Sequence, residues 1–137
     1  MLLVDTSVWV DFLKAQKVPH VEYLKHCLQT GIDTAITSSI YQEVLQGSRD
    51  NKEYLKHQTY FSTLTFIHPS NPIGSYETAA RIYFDCRRKG LTVRSSADCL
   101  IAQIAIEHDL TLLHNDSDFT AIAKVANDLK QTNAEKE

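Results

Sequence analysis

Five carboxylates in this 137-residue sequence occupy positions where an acid can do more than stay solvated: Asp5, Glu43, Asp98, Asp116 and Asp118. Asp5 follows the apolar run Met1-Leu-Leu-Val4, which reads as a buried strand. After Thr6 and Ser7, Val8/Phe12 and Trp9/Leu13 recur at helical spacing. Glu43 stands beside Val44 and one turn after Ile40, on the border of a helix's apolar face. Asp98 opens a segment in which eight of the ten residues from Ala97 to Ile106 are Ala, Cys, Leu or Ile. A helix so apolar is buried on most sides, and its amino end is the natural place for a polar group. Asp116 and Asp118 lie in Asn115-Asp116-Ser117-Asp118, after a fourth strand. Each acid also has a purely local reading. Asp5, Asp116 or Asp118 can cap the next helix, Ser95-x-x-Asp98 matches a capping box, and Glu43 can be simply solvated. Their joint placement has no such local explanation. The acids follow the first, second and last of the expected strands and open a buried helix, so a parallel sheet would gather them at its carboxyl edge, where such sheets bind ligands.

Several carboxylates without histidine or cysteine ligands beside them select a hard cation, Mg²⁺ or Mn²⁺, because oxygen-only sites suit such ions and packed acids repel one another until a cation neutralises them. With one or two metals, such a cluster would activate water and stabilise the leaving oxygen of a phosphodiester. Other α/β chemistries lack their parts. Among only four glycines there is no GxGxxG or GxxxxGK[ST] phosphate cradle. Two residues after Asp5, where a phosphoaspartyl phosphatase would carry a second acid, stands Ser7, and Leu110 to Ala123 has no lysine for a receiver-type switch. The net charge is −3, which argues against generic nucleic-acid coating. Yet Arg81, Arg87, Arg88, Lys89 and Arg94 gather against the single acid Asp85. This basic stripe suits either a solvated helix face or a polyanion lying beside the acids.

The elements that must position these residues alternate. Strands are expected at Leu2 to Val4, Ile32 to Thr37, Thr65 to His68 and Thr111 to His114. Helices are expected after Thr6, over Val18 to Thr30 with Pro19 near its start, over Ser38 to Gln46, Asn51 to Leu64, residues 73 to 89 ending at Gly90, residues 95 to 108, and Phe119 to Leu129. Strands separated by helices imply right-handed crossovers and a three-layer α/β/α sandwich around a parallel sheet. At this length, with 43% hydrophobic residues, one domain over 1–129 is expected, followed by a polar, frayed tail over 130–137. Cys27, Cys86 and Cys99 form an odd set without CxxC spacing, which fits a reducing cytoplasm better than a disulfide framework. No leader is read before the first strand, and no apolar run approaches the roughly 18 residues of a membrane span, so neither export nor insertion is expected. Trp9 reads as core, partnered by Leu13, in preference to a base-stacking platform.

Four stretches carry a family resemblance: Leu3-Val-Asp5-Thr-Ser-Val-Trp9, Ser38-Ser-Ile-Tyr-Gln-Glu43-Val-Leu-Gln-Gly47, Arg94-Ser-Ser-Ala-Asp98-Cys-Leu-Ile-Ala102 and Leu113-His-Asn-Asp116-Ser-Asp118-Phe119. In order and spacing they resemble the PIN-domain ribonucleases, more narrowly the VapC-type toxins of bacterial toxin–antitoxin pairs. The resemblance spans nearly the whole domain. It implies a PIN-like fold and a Mg²⁺-dependent endoribonuclease, with Mn²⁺ able to substitute, that cleaves structured cellular RNA such as transfer or ribosomal RNA. It also implies a homodimer that assembles with, and is silenced by, a cognate antitoxin protein. The family's metal-binding, catalytic acids fall on Asp5, Glu43, Asp98 and Asp116, with Asp118 an accessory acid. Thr6 and Ser7 lie near the site, and Arg94 with Arg87, Arg88 and Lys89 would hold flanking phosphates. Two alternatives stay open from the residues themselves. One is a regulatory module that binds RNA or an antitoxin without cleaving, which would not require an intact acid set. The other is a metal-dependent phosphatase on small substrates, against which the basic stripe argues.

Overall fold

The structure is a computed structural model that describes residues 1–134. Five strands, β1 (Leu2–Val4), β2 (Thr34–Thr37), β3 (Thr65–Ile67), β4 (Thr111–Leu113) and β5 (Lys130–Thr132), form one sheet in the order β3-β2-β1-β4-β5, with every neighbouring pair parallel. Seven helices connect them: α1 (Thr6–Leu13) and α2 (Pro19–Gln29) before β2, α3 (Ser38–Gln46) and α4 (Asn51–Phe61) before β3, α5 (Gly74–Arg88) and α6 (Ser96–Glu107) before β4, and α7 (Ser117–Ala123) before β5.

β1 is the central strand and carries the reversal of strand order. From it the chain winds outward through β2 and β3, then returns to its other side for β4 and β5. Right-handed crossovers in opposite directions put the helices on opposite faces. Accordingly α1 packs on α2 and α3, and α3 on α4, while α5, α6 and α7 pack on one another. The expected α/β/α sandwich is therefore present. β1, β2 and the end of β4 are buried on both faces, as the continuous runs Leu-Leu-Val and Thr-Ala-Ile-Thr suggest for a covered parallel sheet. Gly90 closes the α5 turn at φ 71°, a conformation costly for a residue with a Cβ.

Three sequence expectations need correction. Residues 130–132 are not a frayed tail: Lys130, Gln131 and Thr132 pair with Thr111, Leu112 and Leu113 as the edge strand. Residues 135–137 of the expected tail lie outside the described residues. The last helix covers Ser117–Ala123 and not Phe119 to Leu129, because Asp116 caps it two residues earlier and the chain must turn through residues 124–129 to bring β5 beside β4. Trp9 is core, fully buried, but its partners are the Phe61 ring at 4.9 Å and 90° and the Phe12 ring at 5.5 Å and 84°. Leu13, the expected partner, is 38% exposed at the end of α1.

Candidate metal centre

The crevice between β1 and β4 is where a doubly wound sheet leaves room for a ligand, beyond the carboxyl ends of the strands on either side of the reversal. Val4 pairs with Leu113, and the next residues, Asp5 and His114, leave the sheet together, with Asp5 N–H donating to the Leu113 carbonyl at 2.9 Å. Asp5 is 5% exposed and is a true N-cap: its Oδ2 accepts from Ser7 N–H at 3.0 Å and from Ser7 Oγ at 2.6 Å. Ser7 Oγ in turn accepts from Asn115 N–H at 3.0 Å, which ties the first turn of α1 to the loop after β4. For Asp5 the capping and functional readings are therefore compatible, and the cap fixes where the carboxylate points.

Asp98 has no such local duty. Ser95 precedes α6 without making a side-chain capping bond, so the capping box that the spacing allows is not formed. Asp98 is 8% exposed, and its Oδ2 is buried with no hydrogen-bond partner. Loss of hydration, then the charges of Asp5, Asp116 and Asp118, push its pKa from the ordinary 3.8 up to about 8. Asp116 is the N-cap of α7, its Oδ1 accepting from Asp118 N–H at 2.9 Å. Asp118, which the sequence left between ligand and cap, is not the cap. It is buried in the first turn of α7, where its Oδ2 accepts from Arg94 N–H at 2.9 Å. One carboxylate oxygen from each of Asp98, Asp116 and Asp118 lies within 4.8 Å of the others.

Asp5 and Glu43 adjoin that trio electrostatically. Asp5 is raised above its ordinary pKa by burial, against the pull of the Ser7 bonds, with Asp116 adding to the rise. Glu43, on α3, stays exposed at the rim, and partial loss of hydration and then the Asp5 charge raise its pKa. The Thr6 hydroxyl pulls Glu43 the other way without reaching good hydrogen-bond geometry, and Thr6 Oγ1 is itself buried and unpartnered.

Of Arg87, Arg88, Lys89 and Arg94, the basic residues that the sequence singles out, Arg94 is the one paired with the acids. Its Nη2 stands 3.3 Å from Asp116 Oδ1 and its Nε 3.4 Å from Asp118 Oδ1, so Arg94 acts here as a partial counter-ion to the cluster. Its side chain is 70% exposed, which keeps that pairing weak and leaves the guanidinium reachable from outside. Arg87, Arg88 and Lys89 end α5 on the surface, a short loop away from Arg94, and no ion pair among the described residues joins them to the acids. Arg87 lies over the Tyr83 ring at 5.9 Å and Arg88 over the Phe84 ring at 5.6 Å.

Sequence reasoning missed His114 and Gln131. His114 is 1% exposed; its Nδ1 accepts from Asp116 N–H at 3.2 Å and its Nε2 faces Gln131 Oε1 at 2.6 Å. A histidine in the last step of an apolar strand, just before an acidic loop, was the available signal for the first. For Gln131 there was none, since its strand was not foreseen.

A buried Asp98 oxygen without a partner, on a carboxylate grouped with two others, fits a hard divalent cation. Comparison with known proteins agrees in family. The PIN domain profile matches residues 2–125. Ribonuclease VapC11 of Mycobacterium tuberculosis (strain ATCC 25618 / H37Rv) is 34% identical over 128 residues, covering 93% of this chain and 95% of the relative. VapC ribonuclease Mb1587 of Mycobacterium bovis has the same identity and coverage. Among solved structures, VapBC-1 from nontypeable Haemophilus influenzae superposes with a TM-score of 0.71 at 16% identity over 96% of both chains. FitAcB from Neisseria gonorrhoeae does so with a TM-score of 0.69 at 21% identity over 98% of both. At those identities the two structures speak for the fold. With the family profile spanning nearly the whole domain and curated relatives above 30% identity along it, the chain belongs to the PIN-domain family, among the VapC ribonucleases.

Proposed function

We propose that the protein is a divalent-metal-dependent endoribonuclease and the toxin of a type II toxin–antitoxin pair, acting in the cytoplasm on phosphodiester bonds of structured cellular RNA, transfer or ribosomal. The observation that carries the metal part is the orphaned Asp98 Oδ2 among Asp5, Asp116 and Asp118, an arrangement that is electrostatically unfavourable until a cation enters. Asp5, Glu43, Asp98 and Asp116 would hold Mg²⁺, or Mn²⁺ in its place, with Asp118 supporting. A bound cation of this kind polarises the phosphodiester and makes water a better nucleophile.

The chain's own groups do the positioning. Ser7 fixes the Asp5 carboxylate and locks the α1 turn to the loop that carries Asp116. Asp118 anchors the Arg94 backbone, so the exposed guanidinium stays at the crevice mouth, where an RNA phosphate can draw it from the acids. Arg87, Arg88 and Lys89, at the end of α5 a short loop before Arg94, would hold flanking phosphates. The partner reading, a homodimer assembled with a cognate antitoxin protein, rests on family membership and on the toxin–antitoxin systems named among the structural neighbours. No helix among the described residues is long and apolar enough to cross a membrane. The three buried, unpaired cysteines suit a reducing compartment.

The deciding experiment is Mg²⁺-started cleavage of total RNA by the purified protein, with new 5′ ends sequenced. Cleavage at a few defined sites that stops with excess chelator and returns with Mg²⁺ or Mn²⁺ is expected. Undiminished cleavage in chelator would sink the metal assignment, and intact RNA with Mg²⁺ present would sink the ribonuclease.

A further inference from the structure

His114 is not one of the acids, yet it touches three parts of the molecule that meet beneath them. Its backbone N–H donates to Thr132 O of β5 at 3.1 Å, its ring stacks at a tilt on Phe119 of α7 with centroids 5.2 Å apart, and its Nδ1 takes the Asp116 N–H. Asp116 is the N-cap of α7, so its own N–H points back out of the helix and has no partner in it. Because Nδ1 accepts from that N–H, the ring proton sits on Nε2, and Gln131 must present its amide oxygen to receive it at 2.6 Å. The other tautomer would set two N–H groups face to face. Gln131 lies beyond residues 2–125, the stretch that the family profile matches.

We infer that His114 is a positioning residue for the acid cluster: held as the Nε2–H tautomer by Gln131, it fixes the backbone of Asp116 and thereby aims the Asp116 carboxylate, coupling the site to the edge strand β5. Outer groups that orient a ligating side chain govern how well a metal is held without touching it. The inference rests on the proposed metal centre. His114→Leu keeps bulk but offers no acceptor to Asp116. His114→Asn places an amide oxygen where Nδ1 stood, able to accept from the N–H two residues on, as asparagine does in turns.

Two measurements test it. The ring nitrogens of ¹⁵N-labelled, metal-free protein report the tautomer directly; a proton on Nε2 is expected, and one on Nδ1 overturns the inference. Calorimetric titration with Mn²⁺ then compares variants, each melted without metal to separate a loss of fold. His114→Leu should bind Mn²⁺ more weakly by roughly tenfold to a hundredfold, and His114→Asn should stay close to wild type. Equal binding by His114→Leu and wild type, or equal weakness in both variants, overturns it. Should His114→Leu not fold, Gln131→Leu carries the test. It takes the acceptor from the Nε2–H, so the ring loses its anchor on β5 and Mn²⁺ binding should weaken; Mn²⁺ binding equal to wild type overturns the inference. Wild-type protein that takes up no Mn²⁺ removes the metal centre itself and the inference with it, whereas Mn²⁺ binding by a ring protonated on Nδ1 removes the inference alone.

Discussion

Asp98 is the residue at which capping and chemistry make opposite demands. A cap is stabilising, and its removal costs on the order of 1 kcal/mol. A buried carboxylate with one oxygen unpartnered, set among like charges, is destabilising when ionised. The folded protein keeps the Asp98 proton up to about 8, while the unfolded chain releases it near 3.8. Between those values the native state binds more protons than the unfolded one, so metal-free stability falls as pH rises from about 3.8 to about 8 and levels off beyond. Burial of Asp5 and Glu43 adds in the same direction. Asp98→Asn should therefore flatten this decline and leave the metal-free protein at least as stable as wild type at pH 8, while RNA cleavage collapses. It should also shrink the stabilisation that Mg²⁺ confers, because a ligand is gone. Melting curves across that pH range, with and without Mg²⁺, decide it. A variant that melts lower without metal and still cleaves RNA would return Asp98 to the role of a cap.

At the level of elements, α5 shows how one helix serves both core and surface. Ser75, Ala79, Ile82 and Cys86 form its buried stripe, and Arg81, Phe84, Arg87 and Arg88 face outward. If Arg87, Arg88 and Lys89 lie along RNA, changing all three to Ala should weaken RNA binding and reduce the slope of log affinity against log salt by about 0.7 for each single-strand phosphate that is no longer neutralised. Turnover of bound RNA should change little. A slope equal to wild type would make the stripe a solvated face. The elements also show what the sequence could and could not disclose. Apolar periodicity located α2, α3, α5 and α6 to within a few residues because each buries a continuous stripe, and the acids were legible because they punctuate those stripes. Polar edge strands obey no such pattern. Lys130–Thr132 reads as tail because β5 is half solvated and held by main-chain bonds to β4, which composition does not record. The pairing of Arg94 with Asp116 and Asp118, and the burial of His114 beneath them, depend on segments that meet only once the sheet closes.

For the whole molecule, the doubly wound order makes the acid crevice a junction. β1, the loop after β4, the first turns of α1, α6 and α7, and Glu43 of α3 border it. A cation bound there would cross-link both helical layers through the sheet's reversal point. Its effect should therefore appear as global stability and not as the tightening of one loop. At a hundredfold excess over its dissociation constant, Mg²⁺ should raise unfolding free energy by about 2.7 kcal/mol. Hydrogen exchange gives the distribution. Added Mg²⁺ should slow exchange first at residues 5–9, 40–44, 96–100 and 114–120, the parts that carry the acids, with smaller changes at the distant ends of α2 and α4 where opening is local. The Trp9–Phe12–Phe61 cluster under α1 offers an internal control, since Trp9→Ala should cost about 3–5 kcal/mol with or without metal. A Mg²⁺ effect confined to a single segment, with no rise in melting temperature, would mean that the acids do not act together and that the crevice is a surface feature of the fold.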